Sequence, residues 1–244
     1  MDEVHFFSIY RGDPIRIALE LDETNFKRFV MIIESAGVIH KSMVRLQNAL
    51  NFAYALFLFL REKGLDGSTI NNIVRKWFVL TLLTVRYSGS AESVFDYDIK
   101  RFDGMDDPLK FLERTEAGEL SGAHWDHLLV TNLDSSVRTS PYFNLFLMAQ
   151  VTSKDVAFLS KSITVQHLIE ERGDVHHIFP KKYLQKNGFI NRSQYNQIAN
   201  FVYTEQVVNL AIKDQAPKEY LAKVQEQCIG DILNIGEIKD QNEL

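Results

Sequence analysis

The sequence predicts a mainly α protein: an N-terminal helical domain over residues 1–153, followed by a smaller α+β domain over residues 154–244. Over the first 150 residues apolar side chains recur at intervals of three and four, the period of a helix that buries one face. From about Lys154 that texture breaks into short segments and turns extended over Gly-Asp-Val-His-His-Ile-Phe-Pro, residues 173–180. A chain of 244 residues with 45% apolar content can bury one large core or two modest ones, and the change of texture favours two.

The helices follow in order. Residues 25–39 form the first, with Phe26, Phe29, Val30, Ile32 and Ile33 as its apolar face. Residues 42–63 form the second, stopped by Gly64, because glycine accepts the left-handed backbone on which helices commonly end. Residues 68–87 form a third, capped by Ser68 or Asp66, and the breadth of its apolar surface from Trp77 to Val85 makes it central and mostly buried. A shorter, more acidic helix over 90–102 leads into the turn Asp103-Gly-Met-Asp-Asp-Pro108, with weaker helices at 108–119 and at 143–149 after Pro141. Short helices are expected at 155–159 and 164–172 before the chain extends beyond Asp174.

Composition limits the function. The single cysteine, Cys228, excludes an internal disulfide and a cysteine-based zinc cluster and suits a reducing, cytoplasmic compartment. The N-terminus Met-Asp-Glu-Val-His lacks the basic region of a secretion signal, and the longest apolar run, 49–60 with Asn51 inside it, is too short to span a bilayer. A net charge of −5 argues against a protein that coats nucleic acid indiscriminately, since such binders neutralise phosphates with excess lysine and arginine. The local balance is different. Between Val175 and Thr204 stand Lys181, Lys182, Lys186 and Arg192 with no aspartate or glutamate.

Two motifs in the helical region hold polar chemistry. His124-Trp-Asp-His127 places two imidazoles on one turn with no third ligand in view, which reads as surface or interface histidines. Arg86-Tyr87-Ser88-Gly89-Ser90 could meet a phosphate through its arginine and amides, but a helix-to-helix turn with a buried arginine accounts for it more simply.

The adjacent pair His176-His177, on an extended segment stopped by Pro180, points to metal-assisted hydrolysis. Phosphodiester cleavage needs a group that takes the proton of the attacking water, as an imidazole can, and a cation that stabilises the charge developing on phosphate and leaving oxygen. Neighbouring side chains of a strand point to opposite sides, so only a bend or distorted strand lets both histidines serve one centre. Pro180, which holds Phe179 out of the helical region, is consistent with such a turn. Downstream, Asn200 and Asn209 complete a constellation of two histidines and two spaced asparagines.

The last third of the chain resembles the HNH nuclease domain, with its ββα-metal fold, at the C-terminus of GmrSD-type, modification-dependent (type IV) restriction endonucleases. The resemblance is carried by His176-His177-Ile-Phe-Pro-Lys-Lys-Tyr-Leu184, by Asn196-Gln-Ile-Ala-Asn200, and by Asn209-Leu-Ala-Ile-Lys-Asp-Gln-Ala-Pro-Lys-Glu-Tyr-Leu221. It implies that His177 is the general base and that His176, where many such domains have aspartate, is the first metal ligand. It further implies that Asn200 supports the loop bearing the base and that Asn209 is the second metal ligand, on a helix for which Thr204 offers an N-cap. A divalent ion, Mg²⁺ or Mn²⁺, is the implied cofactor and DNA the implied substrate, cut to 5′-phosphate and 3′-hydroxyl ends in defence against phage. Lys181, Lys182 and Lys186 would steady the phosphodiester, while Phe179 and Tyr203 are assigned to the small domain's core.

Residues 75–90 resemble, more loosely, the helical part that precedes the domain in single-chain members of the family. The nucleotide-hydrolysing, ParB-like domain of the family is not recognisable here, so a separate or missing partner is expected. A double-strand break by a one-metal site calls for two copies or two encounters, which makes a homodimer an expectation. The alternative is a catalytically inactive HNH-fold module that binds nucleic acid or protein, and a third possibility is an interaction domain built on the helices.

Overall fold

Asp66 starts the helix around which the first unit is built. Its carboxylate accepts the backbone N–H groups of Ser68 and Thr69, and the hydroxyls of Thr69 and Ser68, followed by these amides, hold it well below the usual carboxylate range. In the computed structural model, which describes residues 22–133, 140–171 and 173–224, with side chains omitted at 174 and 222–224, the chain divides into two compact units. One contains residues 22–38 and 44–124, the other 39–43 and 125–224, and among the described residues both are mainly helical, with one two-stranded sheet. Cys228 and the first residues of the chain, on which the compartment expectation rests, lie outside the described residues. No described helix is long and apolar enough to cross a membrane.

The first unit comprises α1 (Glu23–Ser35), α2 (Gln47–Glu62), α3 (Gly67–Leu83), α4 (Ala91–Asp103) and α5 (Pro108–Glu119). As its breadth of apolar surface predicts, α3 is central: Ile73, Val74, Trp77 and Phe78 are fully buried, and the helix packs on α1, α2 and α5. Around Trp77 stand Phe102 and Phe111, with ring centroids at 4.8 and 5.4 Å, and Tyr87 meets Phe95 edge-on at 4.6 Å. Such aromatic pairs add to the area they bury because ring edges and faces carry opposite partial charge.

Helix α2 ends as the glycine predicts. Gly64 has φ +75°, its N–H bonds to the carbonyl of Arg61, and the N–H of Leu65 reaches back to Leu60, a Schellman closure. The apolar face of α1 is narrower than expected: Asn25, Phe29, Ile32 and Ile33 are buried, whereas Phe26 is 54% exposed at the stripe's edge, against Tyr54. The expected helix from Ser42 begins only at Gln47, after a short 3-10 turn at Lys41–Met43.

Arg86 settles the reading of its motif. Its Nε and Nη2 donate to both oxygens of Asp98 at 2.8 and 2.7 Å, and its Nη1 donates to Glu119 at 2.8 Å. Tyr87 donates its hydroxyl proton to Asp98 at 2.8 Å and accepts the indole N–H of Trp77 at 2.9 Å. The arginine is therefore engaged inside its own unit, as the helix-to-helix turn requires. His124 is buried while His127 is exposed, in a π-helical turn that does not align residues three apart.

In the second unit, α6 (Val130–Leu133) is followed by α7 (Pro141–Ser153), which packs on the 3-10 turn at Lys41–Met43 and on α8 (Val165–Glu170). The helix expected at 155–159 does not form. Val156 instead makes an antiparallel bridge to Thr164, and Phe158 N–H bonds to Tyr203, drawing the segment onto the sheet. Gly173 then passes over α8, where a Cβ would lie 2.8 Å from Leu168 Cβ, and the chain enters β1 (Asp174–His177). After α9 (Lys181–Lys186) and α10 (Arg192–Tyr195) it returns as β2 (Phe201–Thr204), antiparallel to β1, with His176 opposite Val202 and His177 opposite Phe201. Helices α11 (Gln206–Ile212) and α12 (Pro217–Val224) follow, α11 packing against β1 while Ile212, Tyr220 and Leu221 join Leu159 in a small apolar cluster.

Two predictions concern this framework. Arg86→Met leaves the fully buried Asp98 without its cation and should cost about 3–5 kcal/mol by urea denaturation, whereas Arg86→Met with Asp98→Leu should recover much of that loss. Burial, followed by the neighbouring Asp98, pushes the Tyr87 hydroxyl above its ordinary value of 10.0, and burial does the same for Tyr220. Above that pH the unfolded chain loses these protons and the folded chain keeps them, so stability should fall as pH rises through it. Thermal unfolding between pH 9 and 11 checks this, and Tyr220→Phe should flatten the decline.

Candidate active site

The bend that the histidine pair calls for falls one residue beyond it. Pairing of β1 with β2 is regular through His177, so His176 and His177 occupy opposite faces of the strand. His176, 7% exposed, shares its face with Val202 and Thr204 across the sheet. His177 is half-buried on the other face, its ring 4.6 Å from that of Phe201, which in turn meets Phe143 at 6.0 Å.

The backbone leaves the sheet at Ile178, and one side chain takes over the pairing. Asn200 accepts the Ile178 N–H at its backbone carbonyl at 2.9 Å. Its side chain accepts the Phe179 N–H at Oδ1, 2.7 Å, and donates from Nδ2 to the carbonyls of Phe179 and Tyr195, both at 3.1 Å. A carboxamide offers one acceptor and two donors on one rigid plane, and all three are used here. Asn200 thus imitates a strand partner where the strand has turned away. Tyr220 adds a further bond, its hydroxyl donating to the Ile178 carbonyl at 2.5 Å.

Asn196, a residue to which sequence reasoning gave no role of its own, lies against the candidate base. Its Oδ1 stands 3.0 Å from His177 Nε2. Because an amide oxygen only accepts, the imidazole donates to it from Nε2 in this pairing. The signal available in the sequence was its spacing, four residues before Asn200 in the same short connection.

The remaining expected residues are dispersed around this centre. Asn209 lies half-buried within α11, the helix that packs on β1, and its side-chain amide has no hydrogen-bond partner among the described residues. Thr204 does not cap that helix. It is the last residue of β2, fully buried, and its hydroxyl donates to the Phe158 carbonyl at 2.8 Å, while Glu205 occupies the cap position. Lys181 lies over the Tyr195 ring at 5.1 Å, Lys182 is exposed, and Lys186 pairs with Asp214 at 2.8 Å, lowering that carboxyl. Phe179 and Tyr203 are half-buried, and the core positions belong to Phe201, Tyr195 and Ile198.

Among the described residues no group of three or more histidine, cysteine, aspartate or glutamate side chains gathers in one place. A divalent ion would have to draw on His176 and Asn209, a neutral imidazole and a neutral amide oxygen. That pair suits a cation of intermediate hardness such as Mn²⁺ better than Mg²⁺, which favours carboxylate and water oxygens.

Asn200→Ala should leave the Phe179 N–H and two carbonyls without partners, at about 1–3 kcal/mol by urea denaturation. The same change should accelerate hydrogen exchange at the Phe179 amide relative to the amides of α3; unchanged protection there would refute the bracing role.

Compared with protein-family models, curated proteins and solved structures, the chain matches none.

Proposed function

We propose that the chain is a metal-dependent DNA endonuclease module of the HNH type, of the kind carried by restriction and phage-defence systems that act on modified DNA. The observation that carries this reading is the order strand, braced loop, strand, helix. His176 and His177 end β1, Asn200 pins the bend that follows, and Asn209 lies on the helix that returns to β1.

In this reading His177 accepts the proton of the attacking water, and Asn196 holds the ring at Nε2. Asn196 is a positioning residue: it fixes the tautomer and the plane of the ring, as the third member of a catalytic triad does. Asn200 keeps the following residues from drifting, so that the imidazole is held by its own strand on one side and by a braced turn on the other. A divalent ion held by His176 and Asn209 supplies positive charge for the phosphate and the leaving oxygen. Lys181 and Lys182 lie in the acid-free stretch and steady the phosphodiester electrostatically.

One observation favours a second reading. Regular pairing through His177 sets the two histidines on opposite faces of β1, so without a distortion of the strand they do not share one centre, which favours a catalytically inactive module that binds nucleic acid or protein.

Plasmid cleavage by the full chain with Mn²⁺, Mg²⁺ or EDTA, on modified and unmodified DNA, separates the two. Nuclease action predicts nicking or linearisation that is stronger with Mn²⁺ and lost with EDTA. His177→Ala should reduce the rate by about 10²–10⁴-fold, the usual contribution of a positioned base. Full cutting by His177→Ala refutes its role, and DNA binding with no cutting in either metal establishes the second reading.

A further inference from the structure

Behind the braced turn lies an open groove of about 750 Å³, lined by Phe179, Tyr183, Asn187, Phe189, Gln194 and Gln197 among others. Its chemistry is unusual for this chain. Three aromatic rings and four carboxamides line it, and no charged side chain does. Phe189 is 46% exposed, far from the burial expected of a phenylalanine serving a core.

Two of the carboxamides retain capacity. Asn187 donates Nδ2 to the Tyr183 carbonyl, and Gln194 accepts the Asn191 N–H at Oε1. Among the hydrogen bonds of the described residues, Asn187 Oδ1 and Gln194 Nε2 are unused, one an acceptor and the other a donor. A carboxamide presents the same donor and acceptor pair that bases offer on their edges, and aromatic rings accept the flat face of any base.

The surroundings carry the complementary charge. Lys181, Lys182 and Arg192 are exposed on α9 and α10, the helices whose connection bounds the groove, and residues 175–204 contain no acid. Phe179 and Asn200 belong both to the groove and to the turn that follows His177. A groove of this size falls in the ordinary range for a small-molecule or nucleotide site.

We propose that this groove receives an unpaired nucleobase, extruded from a duplex or presented by a single strand, while its backbone runs along the lysines toward His177. The inference rests on the nuclease reading for the placement of the scissile bond, and it adds a substrate class: nucleic acid with an unstacked base beside the site. Removal of a base from its stack is what proteins that inspect individual bases commonly require, and mismatched or single-stranded positions yield it most readily.

The test is fluorescence anisotropy with the full chain in EDTA, using a labelled 12-nucleotide oligothymidylate and an abasic backbone of the same length. The groove predicts about tenfold weaker binding of the abasic strand. Phe189→Ala and Gln194→Ala, both at exposed positions, should each weaken binding of oligothymidylate severalfold while leaving the abasic strand unaffected. Equal affinity for the two strands, or variants that weaken both alike, would overturn the proposal. Cleavage in Mn²⁺ measured beside it keeps the two ideas apart. Cutting with equal binding of both strands removes the groove and keeps the nuclease, whereas base-dependent binding without cutting keeps the groove and removes the hydrolytic role.

Discussion

The first unit is organised around a carboxylate that water cannot reach. Asp98 is fully buried, and a charge in that position persists only if its environment supplies the stabilisation that water would have given. Arg86 supplies two parallel N–H bonds and Tyr87 a third, and Trp77 holds Tyr87 in turn. The consequence is geometric as well as energetic: α3, the turn after it and α4 are fixed to one another by directional bonds. The aromatic core around Trp77 and Phe102 then packs against elements whose relative positions are already set.

The second unit has a neutral counterpart in Asn200. Its apolar cluster is small, and a two-stranded sheet gains little stability from its own ladder. What makes the turn after β1 a defined object is the single amide that satisfies both backbone groups of Phe179. An aspartate could not donate there and a glutamine would be one carbon too long. The requirement for asparagine at position 200 thus follows from the backbone it replaces, whatever the turn is used for.

Much of the helical architecture was legible because its signals are local. Gly64, Asp66 and Pro108 each act within a few residues, and each marks the boundary where it was expected or within one residue of it. The segment 155–159 failed for the opposite reason: its pairing partners, Thr164 and Tyr203, include one more than forty residues away, and no local propensity encodes that contact. Thr204 failed as a cap in the same way, because the carbonyl of Phe158 claims its hydroxyl. At the site, residue types were legible and their geometry was not. The bracing by Asn200 was expected from resemblance, while the Asn196 contact to His177 and the regular pairing that separates the two histidines emerge only once β1 and β2 are in register.

Charge ties these local arrangements to their proposed use. A net charge of −5 repels polyanions at long range, whereas the acid-free stretch 175–204 attracts them over roughly a Debye length, about 8–10 Å at ordinary salt. In the proposed reading, nucleic acid would therefore be drawn to that stretch rather than spread over the molecule. The proposed pair of neutral metal donors, His176 and Asn209, follows the same logic, since two uncharged ligands would leave the whole charge of a divalent ion uncompensated. Phosphate oxygens are the natural complement, so cation and nucleic acid would stabilise one another in the site, and each would be held weakly alone. A site of that kind would be assembled by its substrate, and the protein's own contribution to the proposed reaction would be the braced turn and the Asn196 contact that hold His177 in place while the other components arrive.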